Sequence, residues 1–251
     1  MADEPNRWIR RYRTAPDAPV QLLCLPHAGG AASYYRPLAL PLFPEVEVLA
    51  VQYPGRQDRF NDPCIDDFEE LTERTLAAVR PAIDRPVALF GHSMGSLLAF
   101  EVARRLEAEG IAPLALFASA KRPPSRHHIE LPQQATDEEL ISEIAALDGT
   151  EERLLDSEDM RVLFLPALRA DYTALAVYRP TEARLACPVV ALVGDDDERV
   201  SVDDAAAWAN HTTGPFDLSV FSGGHFYLNS QWEDVAAVIK RHAADLAPQK
   251  G

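Results

Sequence analysis

Ser93 stands between two glycines in Gly91-His92-Ser93-Met94-Gly95, directly after the apolar run 87–90 and before a helix-like stretch from 97 to 109. A G-x-S-x-G pentapeptide at a strand-to-helix turn strains the serine backbone and lifts its Oγ clear of the sheet. The flanking glycines are needed because a side chain there would collide with the neighbouring strand or helix. The same turn sets the Met94 N–H at a helix N-terminus, where it can meet developing negative charge. A serine hydroxyl is a poor nucleophile until a base takes its proton. On this kind of turn the base is a histidine oriented by a carboxylate, in the chain order Ser, Asp or Glu, His.

Five histidines follow Ser93: His127, His128, His211, His225 and His242. His225 is the predicted base, because it sits in Phe221-Ser222-Gly223-Gly224-His225-Phe226, past a strand and before the last helix. His211 and His242 fall on helix faces, where a solvated or capping role is expected, and His127 and His128 lie in a linker. The carboxylate should follow the preceding strand, in Gly194-Asp195-Asp196-Asp197-Glu198-Arg199-Val200. Asp197, deepest in that loop, is preferred over Asp195 and Asp196. For a second oxyanion donor beside Met94, the small-residue loop Leu25-Pro26-His27-Ala28-Gly29-Gly30 offers the Ala28 N–H first and that of Gly29 next. His27 and Gly29, with Arg56, are read as lining the substrate site, and His92 as packed beside the elbow.

These groups need a rigid frame. Near-continuous apolar runs recur at 21–25, 46–51, 87–90, 114–118, 189–193 and 218–221. Such runs suit strands of a parallel sheet buried on both faces. Helical stripes lie between them: Phe68, Leu71, Thr75, Leu76 and Val79 form one, and Leu97, Leu98, Val102 and Leu106 another, ended by Gly110. Ser201 with Asp204 and Ser230 with Glu233 read as capping boxes of two late helices. Strands alternating with helices over short links predict an α/β fold with a doubly wound, mostly parallel sheet. The rhythm breaks after Lys121-Arg122-Pro123-Pro124. A helix is expected from Thr136, with Glu139 completing its cap, Leu140, Ile141, Ile144 and Leu147 on its apolar face, and Asp148-Gly149 at its end. A second is expected from about 159 to 178, kinked at Pro166. Residues 123–180 are therefore read as a helical lid inserted into a core formed by 1–122 and 181–251.

The 251 residues carry a formal net charge of −15, which argues against nucleic acid or an anionic membrane surface as a partner. Residues 131–251 hold −13 of it, and between 131 and 160 ten acids face one base, Arg153. No run approaches the roughly 18 apolar residues of a membrane span, and the N-terminal stretch has no apolar signal-peptide core. Cys24, Cys64 and Cys187 are far apart and odd in number, as expected of free thiols in the cytoplasm.

Taken together, Pro26-His27-Ala28-Gly29-Gly30, Tyr53-Pro54-Gly55-Arg56, Gly91-His92-Ser93-Met94-Gly95, Leu165-Pro166-Ala167-Leu168-Arg169-Ala170-Asp171-Tyr172 and Gly223-Gly224-His225-Phe226 occur in an order that resembles the type II thioesterases. These are stand-alone α/β-hydrolases that accompany polyketide synthases and nonribosomal peptide synthetases. The likeness begins at Trp8-Ile9-Arg10 and covers nearly the whole chain; Tyr53 departs from the usual leucine. The resemblance implies a Ser93–His225–Asp197 triad, Ala28 and Met94 as oxyanion donors, and no metal or redox cofactor. It also implies that acyl groups are hydrolysed from the phosphopantetheine arm of carrier proteins. Because such carriers are usually acidic, like this chain, docking is expected on the nearly neutral first half, near Arg56, Arg59, Lys121 and Arg122. The elbow alone leaves two rivals open: an esterase or acyltransferase for small oxygen esters, and a non-catalytic binding scaffold.

Overall fold

The structure is a computed structural model that describes residues 7–129, 135–145 and 158–246. Seven strands form one sheet: β1 (Ile9–Arg10), β2 (Val20–Leu25), β3 (Val46–Val51), β4 (Val87–His92), β5 (Leu116–Ser119), β6 (Val189–Gly194) and β7 (Phe216–Phe221). Their spatial order is β1-β3-β2-β4-β5-β6-β7. All pairings are parallel except β1 with β3. The doubly wound sheet predicted from the apolar runs is therefore present. The antiparallel strand β1 is an addition, since a two-residue strand is too short to show any periodicity.

The apolar runs are continuous because successive side chains enter opposite cores. Leu23 and Leu25 of β2 join one cluster with Leu97 and Phe100, whereas Leu22 and Cys24 join another with Tyr227 and Ile239. Helices close both layers: α1 (Ala39–Leu42), α2 (Phe68–Val79) and α3 (Met94–Ala108), then α4 (Asp137–Ala145) and α5 (Glu158–Val177), then α6 (Val202–Ala206) and α7 (Leu228–Leu246). Phe68, Leu71, Thr75 and Val79 are the buried stripe of α2, and Asp67 caps its N-terminus by accepting from the Glu70 N–H. In α3, Leu97, Leu98, Val102 and Leu106 are all buried.

The chain between β5 and β6 contributes α4 and α5. The Thr136 cap forms as expected: its Oγ1 accepts from the Glu139 N–H at 3.2 Å while Glu139 Oε2 accepts from the Thr136 N–H at 2.7 Å. Leu140 and Ile144 are buried; Leu147 and the expected stop at Asp148-Gly149 lie outside the described residues. The second expected helix is present as α5, which runs from Glu158 to Val177 with Pro166 inside it. The Ser201–Asp204 capping box opens α6 as expected. The box expected at Ser230 is not formed, since Ser230 Oγ donates to the Tyr227 carbonyl. Helix α7 is two helical pieces that meet at a kink where Gln231 leaves helical geometry, so the second piece begins just past Ser230.

Candidate active site

The order of strands reverses between β2 and β4, and a crevice opens at such a switch point beyond the carboxyl ends of the strands. The loops after β2 and β4 are therefore neighbours, the loop after β6 lies across β5 from that of β4, and the loop after β7 lies one strand further. Ser93 occupies the turn from β4 to α3 with φ +52° and ψ −122°, a conformation that costs a serine on the order of 1–3 kcal/mol. The turn holds it there by a hydrogen bond from the Ser93 N–H to the Ser119 carbonyl, 2.8 Å. The flanking glycines answer the expected steric need. A Cβ on Gly91 would stand 2.1 Å from the Gly95 carbonyl oxygen, and one on Gly95 would stand 2.0 Å from that of Leu25. Only without those side chains can α3 start against the end of β2.

Three remote segments meet at this turn. His225 Nε2 lies 3.0 Å from Ser93 Oγ, and His225 Nδ1 lies 3.0 Å from Asp197 Oδ2. A carboxylate can only accept, so the proton sits on Nδ1 and Nε2 accepts from the serine hydroxyl. Asp197 is itself fixed, because its Oδ1 accepts from the N–H groups of Arg199 (2.8 Å) and Val200 (3.1 Å). The four neighbouring acids are thereby separated. Asp197 is buried; Asp195 and Asp196 are exposed. Asp195 Oδ1 accepts from the Gly223 N–H at 2.9 Å, and the Asp196 N–H donates to the Gly223 carbonyl at 3.0 Å, so both tie the β6 loop to the β7 loop that carries His225. His92 is wholly buried beside the elbow, its Nδ1 2.9 Å from Ser119 Oγ, which is 2.7 Å from Tyr227 Oη.

The Met94 amide opens α3, and the Ala28 amide lies on the loop after β2; neither has an acceptor among the described residues. Gly29 is differently employed, since its N–H donates to Asp171 Oδ2 at 2.7 Å. A cavity of about 910 Å³ opens beside this loop, walled by His27, Ala28, Tyr34 and Phe226 from the sheet side and by Leu163 and Phe164 of α5. Its wall is mostly apolar and aromatic, the lining expected for an acyl chain.

The family described as "Thioesterase domain" matches residues 20–244. The chain belongs to the thioesterase family. It is 48% identical over 251 residues to Thioesterase PikA5 of Streptomyces venezuelae, an alignment covering 96% of this chain and 89% of that one. Among solved structures, the type II thioesterase BorB from the borrelidin biosynthetic cluster superposes with a TM-score of 0.86 at 48% identity, covering 94% of this chain and 97% of the other. RedJ, the thioesterase from the prodiginine pathway in Streptomyces coelicolor, superposes with a TM-score of 0.83 at 33% identity, covering 91% and 87%. This thioesterase is accordingly a thioester hydrolase with the α/β-hydrolase fold.

Several polar residues of the thioesterase are placed differently from the sequence-based expectation. Arg56, Arg59 and Lys121 are buried, at 6%, 7% and 4% exposure. Arg59 donates to Asp62 and to the Gln52 carbonyl, and Arg122 pairs with Asp204. Arg59 and Arg122 hold loops together, and the three buried cations do not form an exposed docking face. Arg56 borders the cavity, but its guanidinium donates to the Gly30 and Pro54 carbonyls and to Asp171. It is a brace of the site more than a substrate ligand. His211, expected in a solvated or capping role, is buried, with Nδ1 3.2 Å from the Ala183 carbonyl and Nε2 2.8 Å from Ser125 Oγ. Asp171 was missed as a site residue. Its signal was present, because Phe164, Leu168, Asp171 and Leu175 recur at helical spacing and set one acid on an apolar stripe.

His27 lines the cavity as expected. Burial pushes its pKa down to about 3, with the charges of His225 and Arg56 acting in the same direction. An unfolded histidine titrates near 6.5, so below that pH the unfolded chain binds a proton that the folded chain refuses. Stability is then lost as pH falls from about 6.5 toward 3. His27→Gln is expected to flatten the pH dependence of the unfolding free energy measured in urea between pH 6.5 and 4, by up to about 1.4 kcal/mol per pH unit. An unchanged slope would show that His27 is not held neutral.

No helix among the described residues is long and apolar enough to cross a membrane.

Proposed function

We propose that the chain is a type II thioesterase of the stand-alone class, which clears acyl groups from the phosphopantetheine arm of acyl or peptidyl carrier proteins in polyketide or nonribosomal peptide synthesis. The observation that carries this reading is the continuous hydrogen-bonded relay from Asp197 through His225 to Ser93. The likeness to the thioesterase PikA5 and the type II thioesterase BorB supports a thioester substrate.

Ser93 is the nucleophile. His225 Nε2 takes its proton as Oγ bonds to the thioester carbonyl carbon, and the tetrahedral oxyanion is met by the Ala28 and Met94 N–H groups. Collapse breaks the C–S bond, and His225 returns the proton to the departing pantetheine sulfur. Water then attacks the acyl-serine, giving its proton to His225, which passes it to Oγ as the free acid leaves. Asp197 stays ionised and holds the imidazole in the required tautomer. Each oxyanion donor contributes about 3 kcal/mol to lowering the barrier. Segment 123–180 acts as a lid over the cavity, with α5 as its inner wall. The free thiols of Cys24, Cys64 and Cys187 and the carrier-protein substrate both suit work in the cytoplasm.

A thiol leaves more readily than an alcohol, and the carrier adds binding energy remote from the reacting bond. An acyl-carrier thioester is therefore expected to exceed a matched small oxygen ester by about 100-fold or more in kcat/KM. Released acid, measured for both substrates by mass spectrometry, checks this. Equal rates, or preference for the oxygen ester, would favour the esterase reading.

A further inference from the structure

We infer that Asp171, on the inserted helix α5, is a positioning residue for the oxyanion loop, and that Arg56 holds its carboxylate in place. The inference rests on the reading of Ala28 as an oxyanion donor. It draws together three sequence segments that local spacing leaves unconnected: the loop after β2, the Tyr53–Arg56 turn and the middle of α5.

Asp171 Oδ2 accepts from the Gly29 N–H at 2.7 Å and from Arg56 Nη2. Arg56 Nε donates to the Gly30 carbonyl at 3.0 Å, and Nη1 donates to that of Pro54 at 2.7 Å. The pair thus grips the loop from both sides of one peptide unit, by the N–H of Gly29 and the C=O of Gly30. Asp171 is 1% exposed, so water does not substitute for either partner.

Gly29 adopts φ +72°, which fixes the direction of the peptide that follows Ala28. The same helix covers it, for a Cβ on Gly29 would stand 2.9 Å from the Phe164 ring and 3.1 Å from Leu168. The Ala28 amide is one residue away from this clamp. Oxyanion donors act only when preorganised toward the position the developing charge will occupy, and a misplacement of about 1 Å from a group outside the chemistry can cost about 100-fold. Helix α5 therefore belongs to the hydrolytic machinery as well as covering the cavity. The carboxylate touches no reacting atom and acts through Gly29.

The test uses octanoyl-N-acetylcysteamine for kcat and KM, and octylboronic acid as a probe of the tetrahedral state. Boron bonded to Ser93 Oγ puts a hydroxyl where the oxyanion sits. Asp171→Ala is expected to lower kcat about 100-fold, leave KM within threefold, and weaken boronate inhibition by tenfold or more. Asp171→Asn keeps an acceptor oxygen for Gly29 but loses the charge that Arg56 holds, and should recover most of the loss, standing about three- to tenfold below the unmodified enzyme. It also serves should Asp171→Ala not fold, as judged by thermal melting, since it must then show a smaller fall with the same split. Val162→Ala, on the exposed face of α5, should change neither readout.

The inference is overturned if the folded variants keep kcat within threefold. It is also overturned if KM takes the loss while boronate affinity is unchanged, as a generally loosened cavity would give. If the unmodified enzyme neither hydrolyses the thioester nor binds the boronate, the proposed function fails and this inference falls with it. If it does both and the variants match it, only the inference fails.

Discussion

Ser93→Ala should abolish nearly all turnover of an acyl-carrier thioester, lowering kcat by about 10⁵-fold or more while the chain stays folded. The alanine removes the hydroxyl that His225 Nε2 contacts, 3.0 Å away. Nothing else at the elbow can take its place, because Ser96 Oγ is committed to the Gly91 and Ser119 carbonyls. The oxyanion amides and the cavity remain, so a residual rate about 10³–10⁴ above water is expected. Substrate affinity should change little. Thiol release in the presence of a chromogenic disulfide, with a melting curve as the folding check, decides it. Activity within tenfold of the unmodified enzyme would place the nucleophile elsewhere.

The second large effect belongs to Asp197→Asn, for which a loss of about 10⁴-fold in kcat is expected. The loss comes from a change of tautomer. Asp197 uses one oxygen for the Arg199 and Val200 N–H groups and the other for His225 Nδ1. An asparagine would keep its carbonyl oxygen on the two backbone donors, so its NH₂ would face Nδ1. The imidazole proton would then move to Nε2, which could no longer accept from Ser93. The same substitution at Asp195 or Asp196 should leave kcat within about threefold, since both side chains are exposed and neither reaches the ring. A steady-state comparison of the three variants tests the assignment. Equal losses at all three positions would show that the acidic loop matters only as a unit.

The elbow turn, the loop that brings His225 to Ser93 and the strands β2 to β7 were legible because each leaves a local pattern. Continuous apolar runs mark strands buried on two faces, and a serine between glycines marks a turn without room for side chains. The caps at Thr136 and Ser201 were legible for the same reason, being sealed within four residues. What escaped was set by contacts across the chain. The sequence alone could not show that Arg56 meets Asp171, 115 residues away, or that Asp171 meets Gly29, 142 residues away. Charge counting places docking on the nearly neutral first half, near Arg56, Arg59 and Lys121, but a charge count carries no information on burial. The structure buries all three. Ser230 shows the converse. A local cap signature was present, and a helical piece does begin just past Ser230, but the kink at Gln231 leaves the serine hydroxyl on the Tyr227 carbonyl instead of on a cap. Strand β1 gains its identity only from pairing with Val51 and Ala50.

The central claim is that His225 activates Ser93, and labelling by a fluorophosphonate tests it most directly. Peptide mass mapping should find the phosphonyl group on Ser93, and His225→Ala should slow its attachment by about 10³-fold or more. Label on another residue, or attachment to Ser93 at an unchanged rate without the imidazole, would contradict it.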